Sequence, residues 1–358
     1  MKSIIMLTSL FLLQTYPVLT QSISKLESPE THDKFKLRHV WSGNNSNHTF
    51  NEKMPSFSLK ESTLNQIKQQ LESFGSPYFA GFIKDDEEEY QEFIDRFNQD
   101  ESKVADIIFS ILEKDETELL LAIQQLKENG GILTHLMIDN APLAAADEFE
   151  TPLPYGTSEM SQKNPIAEWF MIGIANILGK PMGYINEKNA QLVHNVSPDP
   201  TKKQSLSSAG FKEDLPHHIE VYALKTRPDF LLLGSARADR DNHAETSIYP
   251  VDAALSHLTQ EEIDILAQQR FSHQMSPSFG NYDSVGKKSS SPQSVLFKST
   301  EGKFRAALHG AFTESFDEGD ELAQRALEHL NESIRSEKVG VKLQPGNMLK
   351  FSNAYVLH

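Results

Sequence analysis

Two sequence pairs of the form His-x-Glu have residue types and spacing suited to metal chemistry. They are His218-Ile-Glu220 and His243-Ala-Glu245. In an extended strand, residues i and i+2 point to the same side, so both side chains of one pair can face a single site. Together with a distant histidine, such a pair forms a set of two imidazoles and one carboxylate, which leaves open positions on a metal ion for other ligands.

Sequence context separates the two pairs, because the spacing alone is weak evidence. Thirteen histidines and fifty acidic residues in 358 positions give about two such pairs by chance. The first pair enters an apolar segment, residues 219–224, that predicts a strand, and a second apolar segment follows at 230–234. The second pair lies in the polar stretch 238–246, which is typical of a turn. We therefore favour His218 and Glu220 as metal ligands.

Other common catalytic chemistries find no support in the sequence. It contains no G-x-S-x-G, H-E-x-x-H, phosphate-loop or G-x-G-x-x-G motif. Cysteine is absent, which excludes disulfides, thiolate metal sites and cysteine nucleophiles. Any metal must therefore be bound by His, Asp and Glu.

Composition indicates a soluble globular protein whose partners are neither nucleic acids nor anionic membranes. The hydrophobic fraction is 38% and the charged fraction 23%, both ordinary values. The formal net charge of -16 opposes binding to polyanions. We expect a small-molecule partner, and no membrane association of the mature form.

The N-terminal residues 1–20 have the pattern of a signal peptide, with Lys2, an apolar run over residues 4–18 and a possible cleavage point after Thr20. An ordinary N-terminal helix or an uncleaved anchor remains the alternative. A genuine signal predicts a secreted or periplasmic protein, and otherwise a cytoplasmic one. Residues 21–58 are polar, and we expect them to be poorly ordered.

The first half of the remaining chain predicts helices. Apolar residues recur at helical spacing over residues 59–129, and a strand is predicted at 132–138. Residues 141–155 predict a loop. Asn164-Pro165 is typical of a helix start, with Asn as the N-cap and Pro at the first helical position, and Gly179 of the helix end.

The second half, residues 183–358, predicts mainly strands. Two helices interrupt them, one starting at the capping box Thr259-Gln-Glu-Glu262 and one over residues 321–334. Residues 272–294 predict a mobile loop. The predicted strands cover residues 190–196, 219–224, 230–234, 247–250, 295–298, 304–309, 339–343 and 348–351. This order favours a mainly β fold with helical support at its N-terminal side, a β-sandwich or jelly roll.

Several segments together resemble the clavaminate synthase-like branch of the taurine dioxygenase superfamily, which includes asparagine and arginine β-hydroxylases. His218-Ile-Glu220, Arg227-Pro-Asp229 and Arg237 match the family's motifs in order, and Thr246 lies 26 residues after Glu220. Upstream, residues 177–184 (Ile-Leu-Gly-Lys-Pro-Met-Gly-Tyr) resemble the family's Leu-Gly-x-Pro-x-Gly stretch. At the end, residues 343–358 resemble the family's last metal-binding segment, with Asn353 and His358 at matching spacing.

The resemblance implies an Fe(II)- and 2-oxoglutarate-dependent dioxygenase that uses O2 and releases succinate and CO2. It implies a double-stranded β-helix (jelly roll) in one oxygenase domain over residues 59–358, with helical support at 59–180 and the β core at 183–358. The implied metal ligands are His218, Glu220 and His358, while Thr246 binds 2-oxoglutarate. The resemblance also implies that Ser208 contacts the substrate. It implies that this substrate is a free amino acid or derivative, hydroxylated at an unactivated C–H. Asn353 is expected to fix the turn before His358.

Two departures from the family pattern bear on this hypothesis. Ile219 replaces the usual Thr between the first two ligands, at a position that points away from the metal. The chain ends at His358, whereas the family continues with an Arg that pairs with 2-oxoglutarate, so we expect a truncated sequence. Two alternatives stay open at this point: a jelly-roll binding protein that lacks this Arg and is catalytically impaired, and a zinc hydrolase with the same ligands.

Overall fold

The computed structural model describes most of the chain from residue 54 onward and two short strands before it. The described residues are 6–9, 50–51, 54–78, 87–128, 133–144, 165–184, 191–204, 210–224, 226–239, 241–274, 289 and 291–358. Within these ranges, none of the helices has the combination of length and apolar character that crossing a bilayer would require.

Helices dominate the chain up to residue 178 and confirm the prediction for this half. In all, the described residues form seven α-helices: α1 (Glu61–Leu71), α2 (Glu87–Asp115), α3 (Thr117–Lys127), α4 (Ile166–Leu178), α5 (Val251–Leu255), α6 (Gln260–Leu266) and α7 (Glu321–Ser336). Helix α6 begins with the predicted capping box, in which Thr259 accepts from the backbone N–H of Glu262 and the Glu262 side chain accepts from the N–H of Thr259.

Helix α4 lies at the centre of the helical layer, because it is apolar on all sides and almost completely buried. It packs mainly against α2. At the crossing, Gly173 lets the two helices approach closely, since a Cβ there would lie 2.6 Å from Ile108. Gly179 ends the helix as predicted.

Fourteen strands are found among the described residues: β1 (Met6–Ser9), β2 (Phe50–Asn51), β3 (Met54–Phe57), β4 (His135–Ile138), β5 (His194–Val196), β6 (Phe230–Ser235), β7 (Thr246–Pro250), β8 (Phe271–His273), β9 (Leu296–Lys298), β10 (Phe304–Ala306), β11 (Thr313–Ser315), β12 (Val339–Val341), β13 (Met348–Ser352) and β14 (Val356–Leu357). Seven form a large sheet in the order β2-β3-β4-β13-β6-β1-β5. Its neighbours are antiparallel except for the parallel pair β3–β4.

The central strands β4, β13 and β6 of the large sheet are buried on both faces, and they contribute alternate residues to two different cores. In β6, Phe230 and Leu232 pack into the helical cluster that contains α4, whereas Leu231 and Leu233 pack into a cluster on the other face. Since strand side chains alternate with period two, one strand serves both layers. The second cluster, called the inter-sheet cluster below, lies between this sheet and the three-stranded sheet β12-β7-β14, which contributes Ile248 and Val356.

A third apolar cluster joins α5, α6 and α7 to the strands of the smaller sheets. It includes Ile219, Leu308 and Leu357, three residues adjacent in sequence to the histidines His218, His309 and His358. The backbone that carries the three histidines is therefore fixed by the packing of these neighbouring residues in the core.

The predicted strand at residues 219–224 is wrong. His218 forms only an isolated bridge with His309, and the chain then turns over residues 220–223. The turn is closed by hydrogen bonds from the N–H of Tyr222 to Ile219 O (3.2 Å) and from Leu224 N–H to Val221 O (3.0 Å). Ile219, Val221 and Tyr222 are buried, but they lie at a turn rather than in a strand that pairs with a neighbour.

Smaller differences concern loops and ends. Ser272 lies in β8 and not in the predicted loop 272–294, of which residues 275–288 and 290 lie outside the described residues. Pro165 occupies the N-cap of α4 rather than its first helical position, and Asn164 lies outside the described residues.

The predicted N-terminal features overlap three observed strands, β1, β2 and β3. Met6–Ser9, within the predicted signal peptide, form β1, and residues 54–57 of the predicted polar segment 21–58 form β3, which is mostly buried. Apart from these strands and β2, residues 1–58 are described only at Ser58. The signal peptide stays a prediction.

Lys350 on β13 yields a stability prediction, because its amine is buried among apolar neighbours with no hydrogen-bond partner in the described part of the chain. Burial lowers the pKa of this amine well below its ordinary value of 10.5. Between the two pKa values the unfolded chain binds one more proton than the folded protein, so the free energy of unfolding rises with pH in that window.

We expect Lys350→Met to stabilise the protein at pH 7 by about 1–3 kcal/mol, the cost of an unsatisfied buried polar group. It should also flatten the rise in stability between neutral pH and pH 10.5, as measured by urea unfolding across this range. The exposed Lys212→Met serves as the control and should change neither quantity. A less stable Lys350→Met variant would show that the amine has a stabilising partner.

Candidate metal centre

Two of the three predicted metal ligands are brought together by their own backbones. The N–H of His218 donates to His358 O (2.9 Å), and the N–H of His358 donates to His218 O (3.0 Å). Two reciprocal backbone hydrogen bonds are typical of directly opposed residues in antiparallel strands, and the side chains of such residues lie on the same face. The ring centroids of the two histidines are accordingly 4.3 Å apart.

Glu220 completes the set. One of its carboxylate oxygens, Oε2, lies 3.4 Å from His218 Nε2 and 3.6 Å from His358 Nε2. Ligand atoms of the three residues lie within 4.8 Å of one another, and in the part of the chain that the structure describes they form the one such group of metal-binding side chains. The three predicted ligands thus converge on a single point.

The protonation states of this group suit a metal site. Burial tends to raise the pKa of the Glu220 carboxyl, but hydrogen bonds and charge interactions with His218 and His358 outweigh it and hold that pKa far below its ordinary value. Burial, together with the neighbouring His218, lowers the pKa of His358 to about 4. At neutral pH the site therefore offers an ionised carboxylate and a neutral imidazole at His358, the forms that bind metal.

Hydrogen bonds also fix which ring nitrogen is free at His218. Its Nδ1 lies 2.9 Å from the carbonyl oxygen of Pro216 and donates to it, so Nε2 is the ring nitrogen that faces Glu220 and is available to a metal. Metal-binding histidines are commonly oriented by such a bond on the opposite nitrogen. At His358 the Nδ1 atom is buried without a partner among the described residues, and Nε2 faces the site.

A third histidine, His309, lies on the other side of His218. The two residues form a β-bridge, and their ring centroids are 5.2 Å apart. Burial, and next the charge interactions with His218 and His217, lower the pKa of His309 to about 3. Its Nδ1 accepts from the N–H of Ala311 (3.1 Å), so the neutral ring carries its proton on Nε2. No motif pointed to His309; its position at the end of a predicted strand was the only available signal.

His217 holds the ligand segment from the opposite side. Its Nε2 donates to Asn331 Oδ1 on α7 (2.7 Å), since the amide nitrogen of Asn331 is used on Leu327 O. The ring also contacts Tyr249 edge-on, with centroids 5.7 Å apart. Gly310 makes room for it, because a Cβ there would lie 3.0 Å from the imidazole. The segment before His218 is thereby attached to α7.

Thr246, the predicted 2-oxoglutarate contact, begins β7. In the β7–β14 ladder Leu357 pairs with Tyr249, so extending the register by one residue sets His358 opposite Ile248. Thr246 lies two residues further along, roughly 7 Å away at the rise of a strand. With period two it shares the inward face of Ile248, which is buried in the inter-sheet cluster.

Two candidates from the sequence remain, Ser208 and the second His-x-Glu pair. Ser208 lies outside the described residues. The second pair, His243 and Glu245, is exposed, and Glu245 forms an ion pair with Lys338 (2.6 Å). The pair that the sequence context favoured, His218 and Glu220, is the one whose side chains converge with His358.

Comparison with known proteins places this site in a family. The model of the taurine catabolism dioxygenase family (TauD, TfdA) matches residues 166–358, more than half of the chain. The chain therefore belongs to this family. It is a non-haem iron dioxygenase that depends on Fe(II), 2-oxoglutarate and O2.

Similar proteins agree with this assignment. Clavaminate synthase 2 of Streptomyces clavuligerus is 25% identical over 225 residues, covering 63% of this chain and 67% of the relative. Enduracididine β-hydroxylase of Streptomyces hygroscopicus is 26% identical over 253 residues, covering 64% and 71%.

Two solved structures share the fold. Asparagine oxygenase in complex with Fe(II), 3-hydroxyasparagine and succinate has a TM-score of 0.67 at 21% identity, covering 84% of this chain and 86% of that chain. The non-haem iron oxygenase OrfP with Fe and α-ketoglutaric acid has a TM-score of 0.68 at 20% identity, covering 85% and 87%.

The residues of the site fit the iron and cosubstrate of the family. Two imidazoles and one carboxylate are the ligand set of non-haem Fe(II) oxygenases, and they leave open positions for cosubstrate and dioxygen. The ionised carboxylate of Glu220 and the inward-facing Nε2 atoms of His218 and His358 are the donor atoms that such a metal requires.

We expect Co²⁺, a redox-stable substitute for Fe(II), to stabilise the protein by about 2.7 kcal/mol at a free concentration 100 times its Kd. Thermal unfolding with and without Co²⁺ measures this. His218→Ala, Glu220→Ala and His358→Ala should each abolish the shift, because each removes one ligand. His243→Ala, in the exposed pair, should retain it. Equal shifts in the ligand variants and wild type would place the metal elsewhere.

Proposed function

We propose that His218, Glu220 and His358 hold the iron, and that the enzyme hydroxylates an unactivated C–H of a free amino acid or amino-acid derivative. The convergence of the three side chains on one point is the observation that carries the proposal. The iron and 2-oxoglutarate, when bound, supply the activation of dioxygen, with release of succinate and CO2 and transfer of one oxygen atom to the substrate.

The protein's own contribution is geometry and a dry environment. The inter-sheet cluster lines one side of the metal ligands, and the Phe351 ring centroid lies 5.1 Å from that of His358. A water-poor site strengthens the interactions of the charged Glu220 and protects reactive species from side reactions. The reciprocal backbone pair holds His218 and His358 in place before any ligand arrives.

The substrate class is supported by the relatives. By name, one hydroxylates enduracididine and another oxidises L-asparagine, and solved relatives contain 3-hydroxyasparagine or hydroxylated arginine. We propose Ser208 as a substrate contact on the resemblance alone. We further propose that residues 59–358 form one oxygenase domain. Its strands in the large sheet, which β1, β2 and β3 from outside this range extend, and its three-stranded sheet are the two halves of a double-stranded β-helix.

The proposed activity is tested by substrate-dependent succinate release. Wild-type protein, reconstituted with Fe(II) under reducing conditions, is supplied with 2-oxoglutarate, O2 and each amino acid of a panel that includes asparagine and arginine derivatives. We expect succinate and a hydroxylated amino acid in equal amounts. His218→Ala should lower the rate more than about 100-fold, beyond the usual effect of a residue that only supports a ligand, and His243→Ala should not.

The same assay separates the alternatives. Binding of an amino acid with no succinate release by any panel member would favour a catalytically impaired binding protein. Equal hydrolytic activity with Zn²⁺ and without 2-oxoglutarate would favour a hydrolase.

We also propose that the Thr246 hydroxyl donates to the far carboxylate of 2-oxoglutarate. A hydrogen bond to a charged group contributes about 1.5–3 kcal/mol, so Thr246→Val should weaken 2-oxoglutarate binding about tenfold or more. Anaerobic titration of the Fe(II) protein, followed by the visible metal-to-cosubstrate absorption, gives the Kd. Thr246→Ser keeps the hydroxyl and should bind nearly as wild type. An unchanged Kd in Thr246→Val would refute this role.

A further inference from the structure

Asn353 makes an unusually complete set of contacts with the backbone of the carboxylate ligand. Its Oδ1 accepts from the N–H of Glu220 (2.7 Å), and its Nδ2 donates to the carbonyl oxygen of Glu220 (3.0 Å). The same nitrogen donates to Pro228 O (2.9 Å), and the backbone N–H of Asn353 donates to Asp229 O (2.9 Å). The side chain is 1% exposed.

These bonds replace the strand partner that Glu220 lacks. The ladder ends at His218, and the turn begins at Glu220, so its N–H and carbonyl would otherwise lack a backbone partner in a partly buried place. Buried backbone polar groups need partners, and here one amide group satisfies both.

The next residue shows why the turn needs such support. Val221 has φ of 57°, in the left-handed region, and its side chain is buried. A β-branched residue at positive φ is an outlier that persists only when the surroundings impose it. This conformation diverts the chain directly after Glu220, at the residue that follows the peptide groups bonded to Asn353.

We propose that Asn353 is a positioning residue for the metal centre: it clamps the peptide groups of Glu220 and thereby aims the carboxylate at the two imidazoles. This inference rests on the proposed metal role of Glu220. The resemblance led us to expect that Asn353 fixes the turn before His358. The role proposed here for its side chain is a different one. Asn353 does lie in that turn, but its side chain acts 133 residues away in sequence, on the other ligand.

The chemistry requires an amide at this position. Oδ1 must accept one hydrogen bond while Nδ2 donates two, which an amide does with one side chain. A carboxylate would face two carbonyl oxygens, and an alkyl group would satisfy none of the three groups. Asn353→Leu, which keeps the side-chain size, therefore removes the clamp with little change in volume.

The test is a Co²⁺ titration followed by the visible absorption of the bound ion, with thermal unfolding of the metal-free protein measured in parallel. We expect Asn353→Leu to raise the Kd for Co²⁺ about 10–100-fold, the usual range for residues that orient metal ligands. Asn347→Leu is the matched control. Asn347 also bonds to backbone, at Asp139 O and Gln344 N–H, but away from Glu220, so this variant should lose thermal stability and keep its metal affinity.

A second substitution separates positioning from general damage. Glycine adopts positive φ without strain, so Val221→Gly should restore part of the metal affinity when combined with Asn353→Leu, although the buried methyl groups are lost. A double variant that binds Co²⁺ no better than Asn353→Leu alone would overturn the positioning role. So would an Asn353→Leu protein that binds Co²⁺ as tightly as wild type.

The ligand variants keep this failure distinct from failure of the proposed function. If His218→Ala and Glu220→Ala lose Co²⁺ binding while Asn353→Leu retains it, only the positioning role is wrong. If neither ligand variant loses affinity, the metal site itself is wrong.

Discussion

The reciprocal backbone pair between His218 and His358 is the constraint on which the site depends. These residues are 140 positions apart in the chain, and two hydrogen bonds of about 3 Å place them opposite each other. The pair exists because the segment before His358 is fixed at both ends. On one side it follows β13, the central strand of the large sheet, and on the other β14 pairs with β7. The two proposed histidine ligands are thus held by sheet register, which is strongly specified where a strand face is buried.

The helical layer supports the site through the large sheet. Both faces of β13 and β6 are buried, so the large sheet is held between the helices on one side and the inter-sheet cluster on the other. Lys350 lies on the helical side, between its strand neighbours Leu136 and Leu232, and Phe351 on the site side. Packing of α4 against the sheet therefore positions the strand that leads to His358.

Local signals made much of the fold predictable from sequence, whereas long-range contacts decided the rest. The capping box at Thr259 and the amphipathic α7 are encoded within a few residues, and both were found where expected. The turn at Val221 was missed because its own residues favour a strand; the amide of Asn353, far along the chain, overrides that preference. His309 was missed for the same reason, since only the bridge to His218 brings it to the site.

The two side chains of the His-x-Glu motif converge although the strand assumed for it ends early. The extended backbone from His218 to Ile219 turns Ile219 to the opposite side, where it is 1% exposed in the apolar cluster with Leu308 and Tyr222. An apolar residue between the ligands therefore adds burial behind the site and leaves the metal side unchanged, which accounts for Ile at a position where the family has Thr. Glu220 still reaches the imidazoles because the clamp on its backbone, rather than a continuing ladder, sets its direction. The spacing of two thus brings both side chains to one point, and the distant amide fixes the backbone of Glu220 there.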